Sequence, residues 1–396
     1  MKGLGLERNV LVLGLSSSIA SFGNLLWFFF LPILLEEQGF SSLEIALVYT
    51  FYSMIGMGVQ LPIGHYLVDG LGRKKTIVLG GLISTTSLAV LALSTNPVLT
   101  ASAFIIWGAF GQSLSSLARD ALIMDSVPKE RLATGFGTFI TLAGSVAIVS
   151  PLIGGFFIAQ RKQTAIFLTS MIMTLVMTVA RSRFLEEKSS MLRSRREQNS
   201  FKGSLGKIIQ TKPLLALTFA YAFYNLFLSQ SGSSFNYVVA LYSADVLHLS
   251  QLYIGIMFSL LTLIVTQLAL PFGKLADRFG KKNIIIASWA TEMVFMMFFA
   301  YSFGPLFALV SFSLWVGFGA MDGPALDALL GDFTTEENRG ISLGFFNTFA
   351  SALNVPAIFL VGVLFSFNPI FPFYANLAIG LFAFGFFLYY FAFSKI

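Results

Sequence analysis

The chain contains no cysteine, which excludes disulfide staples, thiol nucleophiles and thiolate metal sites. Two histidines, His65 and His248, are too few for an imidazole metal cluster. No G-x-x-x-x-G-K-[ST] stretch occurs, so nothing points to nucleotide hydrolysis by the chain itself, and no cofactor is expected. Charge is scarce as well: 11% of the residues carry it, against about 25% in an ordinary soluble domain. The 396-residue length alone would suggest two or three globular domains, but composition overrules that. A soluble surface has nowhere to put 56% hydrophobic residues at a mean hydropathy of +0.80. The 44 Phe, 13 Met and 35 Gly fit helices packed in lipid, where glycine lets backbones approach closely. The class is a polytopic all-α integral membrane protein.

A helix needs about 20 mostly apolar residues to cross the hydrocarbon core. Apolar runs between charged or Pro/Gly/Asn breaks give twelve spans, roughly 10–35, 43–67, 76–94, 98–118, 133–159, 163–180, 214–242, 252–272, 283–303, 305–330, 341–366 and 370–393. Lys2 and Arg8 precede the first run, which is too long for a signal h-region and is expected to be an uncleaved helix. Cytoplasmic loops hold the excess of Lys and Arg. With twelve spans and both termini cytoplasmic, all but Arg161 and Lys162 of the 25 basic residues fall on the inner side. The organisation expected is an N-terminal six-helix bundle (1–180), a basic cytoplasmic linker (181–213) and a C-terminal six-helix bundle (214–396). The net charge of +6 therefore implies lipid headgroups as its partner, not nucleic acid.

The halves repeat each other. His65 to Lys75 contains Asp69-Gly-Leu-Gly72-Arg73-Lys-Lys, and Gly273-Lys-Leu-Ala-Asp277-Arg278-Phe-Gly280-Lys281-Lys282 follows at an offset of 208 residues. Asp120-Ala-Leu-Ile-Met-Asp125 matches Asp327-Ala-Leu-Leu-Gly-Asp332 at 207, and Arg131 matches Arg339 at 208. Parallel six-helix repeats form a transporter architecture with its site near the midplane. The G-x-L-A-D-R-x-G-K-K string resembles the loop signature between spans two and three of the major facilitator superfamily. Ser150-Pro151-Leu-Ile-Gly154-Gly155 is similar to the G-P-x-x-G-G motif of its twelve-span drug/proton antiporters, with Ser150 in place of a glycine. The first signature copy departs from the pattern, with His65 for the initial glycine and Gly70 for the arginine after Asp69. The mid-membrane arginine that such exchangers often carry on the fourth span is missing, Arg119 lying at that span's cytoplasmic end. The resemblance implies two pseudo-repeats around a central cavity lined by spans one, four, seven and ten.

Gly72 and Gly280 suit tight turns that need positive φ. The resemblance implies that Asp69, Arg73, Gly273, Asp277 and Arg278 brace a cytoplasmic gate, and Arg119, Asp120, Asp125, Asp327, Asp332 and Arg339 are the further charges expected to break and reform pairs there. Pro151 with Gly154 and Gly155 implies a bend and a close helix interface. Polar stripes at helical spacing mark four spans: Ser17, Asn24 and Phe28; Gln112, Ser115 or Ser116, and Arg119; Tyr221, Asn225, Ser229, Gly232 and Asn236; Ser311, Trp315, Gly319 and Asp322. Two carboxylates, Glu292 and Asp322, lie well inside spans, where a charge costs roughly 2.5–3.5 kcal/mol on insertion scales, so each is expected to be paired, protonated or functional. The expected activity is secondary transport by alternating access, with protons as coupling ion and export of small amphipathic or weakly polar compounds, by a monomer in the cell membrane. Uptake of a sugar or organic acid is the alternative within transport. No Lys or Arg is expected mid-membrane, which counts against organic anions. A sensor or scramblase is the alternative of another class. An enzyme is not expected, because the chain supplies no compact set of His, Cys, Asp or Ser.

Overall fold

The computed structural model describes residues 8–62, 71–127, 132–187, 211–228, 230, 232–334 and 339–393. His65, Asp69, Arg131 and Ser229 lie outside these, and of Arg339 only the backbone, as the first residue of the helix Arg339–Phe367, is described. The described secondary structure is helical throughout. Among the described residues, ten helices are long and apolar enough to span a membrane, or eleven if the bent pair Gln251–Gln267 and Pro271–Phe279 counts as one. The remaining predicted span, the seventh, is present in two pieces, Lys212–Tyr224 and Ser233–Leu241. The twelve-span reading and the all-α class agree with this layout.

Local chemistry fixes where the helices start. Asn96 caps the fourth span, its Oδ1 accepting the N–H groups of Val98 and Leu99 at 2.9 and 3.3 Å, and Pro97 occupies the first turn, where its missing N–H costs nothing. Ser41 and Glu44 form a reciprocal capping box ahead of the second span. Gly72 and Gly280 take φ of 96° and 91°, so each signature loop turns through a conformation that side chains resist.

By contact the chain divides into two compact units, residues 1–190 with 249–266, and residues 191–248 with 267–396. In the first unit the third span packs on the fourth and sixth, and the first span on the fifth and sixth. Its aromatic centre is Trp27, edge-on to Trp107 at 4.9 Å and to Phe104 at 6.3 Å, with its indole N–H donated to Ser170 Oγ at 3.1 Å. Pro151, Gly154 and Gly155 lie where the fifth span meets its neighbours. A Cβ on Gly154 would collide with the Leu26 carbonyl and one on Gly155 with the Gln251 carbonyl, so only glycine fits. In the second unit the ninth span packs on the tenth and twelfth, and the seventh on the eleventh and twelfth.

Two expectations are corrected. The sixth helix runs Gln163–Phe184, beyond the expected end at 180, and takes in Arg181, which is only 4% exposed. A basic residue is therefore buried within a span after all. It escapes a sequence reading because hydropathy ends a run at its first charge. The seventh span is not a continuous stripe, since its helix stops at Tyr224 and resumes at Ser233. In hydrocarbon such a break must be satisfied by neighbouring groups. Asn376 Oδ1 accepts the Leu228 N–H at 3.0 Å, and Asn354 Nδ2 donates to the carbonyls of Leu226 at 3.1 Å and Asn225 at 3.4 Å.

Candidate functional site

Glu292 and Asp322 of the second unit belong to one connected group. Glu292, 9% exposed on the ninth span, accepts the Tyr224 hydroxyl on Oε2 at 2.7 Å and Gln230 Nε2 on Oε1 at 3.1 Å. Tyr224 stacks face to face on Trp289, with centroids 4.0 Å apart and planes 5° from parallel. The Trp289 indole N–H reaches Asp322 Oδ2 at 2.8 Å, at the start of the helix Asp322–Asp332. The two acids are thus joined through one aromatic pair. Asp322 begins a helix because the tenth span breaks at Ala320 and Met321, shortly before Pro324. A Cβ on Gly319 would come 2.7 Å from Glu292 Oε1, so that glycine makes the room the acid occupies.

Trp315 contributes its carbonyl, 3.3 Å from Gln230 Nε2, while its ring is sealed among Phe235, Phe299, Phe312 and Phe373. Asn225 turns its amide back to the Tyr221 carbonyl at 3.2 Å, and Asn236 is buried in the second piece of the seventh span. Sequence does not single out Tyr224 or Trp289, since aromatic residues in an apolar run look like packing, and Gln230 falls outside the polar stripe of the seventh span. Asn354 and Asn376 carry a usable signal as amides inside spans eleven and twelve.

In the first unit, Asn24, Gln112 and Arg119 line one cavity of about 340 Å³, which Arg181 also borders. Arg119 Nε is 2.8 Å from Asp120 Oδ1, and its guanidinium lies over the Phe139 ring at 4.7 Å. The charged motif residues form a second set. Arg73 Nε pairs with Asp125 Oδ2 at 3.3 Å, with 10% and 15% of the side chains exposed. Lys281 Nζ pairs with Asp332 at 2.7 Å in the second unit. These pairs occupy matching positions of the two repeats, so the duplication extends to side-chain chemistry. Arg278 rests over the Phe279 ring at 5.3 Å, and Asp277, Asp327, Lys281 and Asp332 share a cleft. Gly273 has room around it, since a Cβ added there would meet nothing nearer than Pro324 Cβ at 3.8 Å. Glu187, which sequence cannot place, accepts the N–H groups of Arg73 at 2.8 Å and Lys74 at 2.9 Å and so caps the third span.

The family model of the Major Facilitator Superfamily matches residues 13–266 and 225–395, nearly the whole chain. The chain belongs to the major facilitator superfamily. It is similar to the multi-drug resistance efflux pump PmrA of Streptococcus pneumoniae, at 26% identity over 85% of this chain and 82% of that one. It is also similar to the quinolone resistance protein NorA of Staphylococcus aureus, at 23% identity over 89% and 88%. Among solved structures, a bacterial homologue of the iron transporter ferroportin in an inward-facing state aligns with a TM-score of 0.75 over 97% of this chain and 98% of that one. At 16% identity that likeness shows the fold. Together with these relatives, the superfamily membership supports a membrane transporter of the type resembling drug/proton antiporters, acting on small molecules.

Proposed function

We infer that this transporter exports small amphipathic or weakly polar compounds across the cell membrane by alternating access, in exchange for protons that Asp322 and Glu292 carry. The observation that supports it is the pair of acids bridged by Tyr224 and Trp289. A carboxylate inside a span is retained at a cost in insertion energy, and proton relays are one of the functions that justify it. Tyr224 and Gln230 offer Glu292 hydrogen bonds, and Trp289 offers one to Asp322, so each acid keeps partners while its charge changes. The close fit at Gly154 and Gly155 supports a tight helix interface that limits leak. In this reading the Arg73–Asp125 and Lys281–Asp332 pairs belong to the cytoplasmic gate, with Asp69, Asp120, Asp277, Arg278, Asp327 and Arg339 among its further charges. Both termini face the cytoplasm and the working unit is a monomer.

Proteoliposomes with an imposed pH gradient test the coupling. Substrate efflux from the cytoplasmic side is expected to acidify the compartment that supplies the substrate, and Asp322→Asn is expected to abolish gradient-driven export while leaving the folded protein intact. Unchanged rate and pH dependence in Asp322→Asn would refute the role of Asp322. Net uptake driven by an inward proton gradient would overturn export and leave metabolite uptake as the function.

A further inference from the structure

The acids above have no counterpart role in the first unit, whose cavity carries the opposite charge. Arg181 is 4% exposed, and its guanidinium donates to Ser16 Oγ at 2.9 Å and Ser17 Oγ at 2.5 Å. Among the described residues no carboxylate lies within ion-pair distance of it. A guanidinium cannot shed its proton at physiological pH, so this charge is permanent. Two hydroxyl dipoles compensate a buried cation only in part, and an isolated buried charge costs several kcal/mol. Arg119 adds a second guanidinium to the same cavity, and the Phe139 ring supports its face.

Two further groups are unsatisfied there. Ser84 Oγ and Thr174 Oγ1 are buried, line the cavity, and have no hydrogen-bond partner. Hydroxyl groups buried this completely ordinarily bond to protein, water or ligand. Phe139, Ile140 and Met177 complete an apolar wall beside these polar groups. At about 340 Å³ the cavity lies at the lower end of small-molecule sites.

We propose that this cavity binds the anionic head of an amphipathic molecule, a carboxylate, sulfonate or phosphate held by Arg181 and Arg119, with the hydroxyls of Ser84 and Thr174 as additional donors and the apolar wall receiving the body. As a substrate site it rests on the export reading above, and it narrows the substrate class to amphipathic anions. Sequence assigns Arg181 to the linker, so the objection to an anionic cargo falls with that assignment. A phospholipid headgroup presents the same chemistry and is the other source of such an anion.

The test is calorimetric titration of the full-length chain in neutral detergent with 4-butylbenzoate and with 4-butylbenzamide, which differ in charge and little in shape. The acid is expected to bind about tenfold or more tightly than the amide, the discrimination of charge-assisted hydrogen bonds. Arg181→Gln is expected to remove that preference while leaving amide affinity within about twofold, Arg181→Lys to retain part of it, and substitution of the exposed Glu37 by Gln to retain all of it. Equal binding of the two probes by the unmodified chain, or an unchanged preference in Arg181→Gln, overturns the site. Should Arg181→Gln fail to fold, the comparison of probes on the unmodified chain and on Arg119→Gln, where the preference is expected to shrink, decides the matter. Repeating the titration with added phosphatidylglycerol separates the sources. Competition, with lipid released by Arg181→Gln, identifies a headgroup; an undiminished preference identifies a free amphipathic anion. Binding in detergent needs no gradient, so failure of the charge preference refutes this site, whereas absence of proton counterflow refutes only the coupling.

Discussion

Replacing Asn376 by leucine tests how the broken seventh span is held. Asn376 Oδ1 is the acceptor for the Leu228 N–H at 3.0 Å, and Leu228 and Asn376 are 3% and 9% exposed, so water cannot substitute freely. Leucine matches asparagine in shape but leaves the N–H without an acceptor. An orphaned buried donor costs about 1–3 kcal/mol. Side-chain hydrogen bonds within membranes average about 0.6 kcal/mol, because the unfolded reference also finds partners. The backbone donor, which the leucine strands in place, should follow the larger figure, and about 2 kcal/mol corresponds to roughly a 30-fold change in local opening. The Asn376 amide nitrogen also loses Met296 Sδ at 3.2 Å, a weak acceptor whose loss adds little. The assay is amide hydrogen exchange over residues 225–230 in the purified chain, with Asn354→Leu as comparison. Asn354 donates to two carbonyls at 3.1 and 3.4 Å, and a carbonyl short of one partner is tolerated better than a stranded N–H. Exchange should therefore accelerate about 30-fold in Asn376→Leu and clearly less in Asn354→Leu. Equal acceleration in both, or none in Asn376→Leu, would refute the assignment of Asn376 as the group that holds the break.

Three further outcomes are expected. Gly155→Val, which drives a side chain into the Gln251 carbonyl, should destabilise by about 1–3 kcal/mol and lower the melting temperature in detergent; an unchanged melt would show that the helices separate without cost. Glu187→Gln should weaken the cap of the third span by about 0.5–1 kcal/mol, read as faster exchange at Arg73 and Lys74, while substitution of the exposed Glu37 leaves those amides unchanged. Trp289→Phe preserves an aromatic face for Tyr224 and deletes the indole donor to Asp322, so gradient-driven export should fall by about tenfold or more with melting nearly unchanged; full export activity would remove Trp289 from the proton path.

The span count was legible because two independent signals, apolar length and the sidedness of Lys and Arg, had to agree. Gly72 and Gly280 were legible because few residues other than glycine sit at φ near 90°. Asn24, Gln112 and Arg119 stand out separately on two helices and meet in one cavity. The stripe in the seventh span misleads, because periodicity assumes an unbroken helix and the residues that permit the break, Asn354 and Asn376, lie more than a hundred positions away in sequence. Glu187 follows the sixth span as an apparent linker charge, and only packing reveals that it reaches the third helix.

The repeat itself sharpens the contrast between the units. At the offset of 208 that relates Asp69 to Asp277 and Gly72 to Gly280, Glu292 corresponds to Ser84. At the offset of 207 that relates Asp120 to Asp327 and Asp125 to Asp332, Asp322 corresponds to Ser115. Ser84 and Ser115 both line the cavity that Arg119 and Arg181 border. The positions that hold acids in one repeat hold hydroxyls in the other, while the ion pairs Arg73–Asp125 and Lys281–Asp332 are retained in both. A carboxylate at residue 84 would satisfy the arginines internally, as buried charges usually require. A hydroxyl there keeps the cationic cavity available to an anion from outside. Ser84→Glu should therefore silence the preference for 4-butylbenzoate over its amide, because the introduced carboxylate competes for the guanidinium groups. If the preference survives that substitution in a folded protein, the arginines are structural and the cavity is not an anion site.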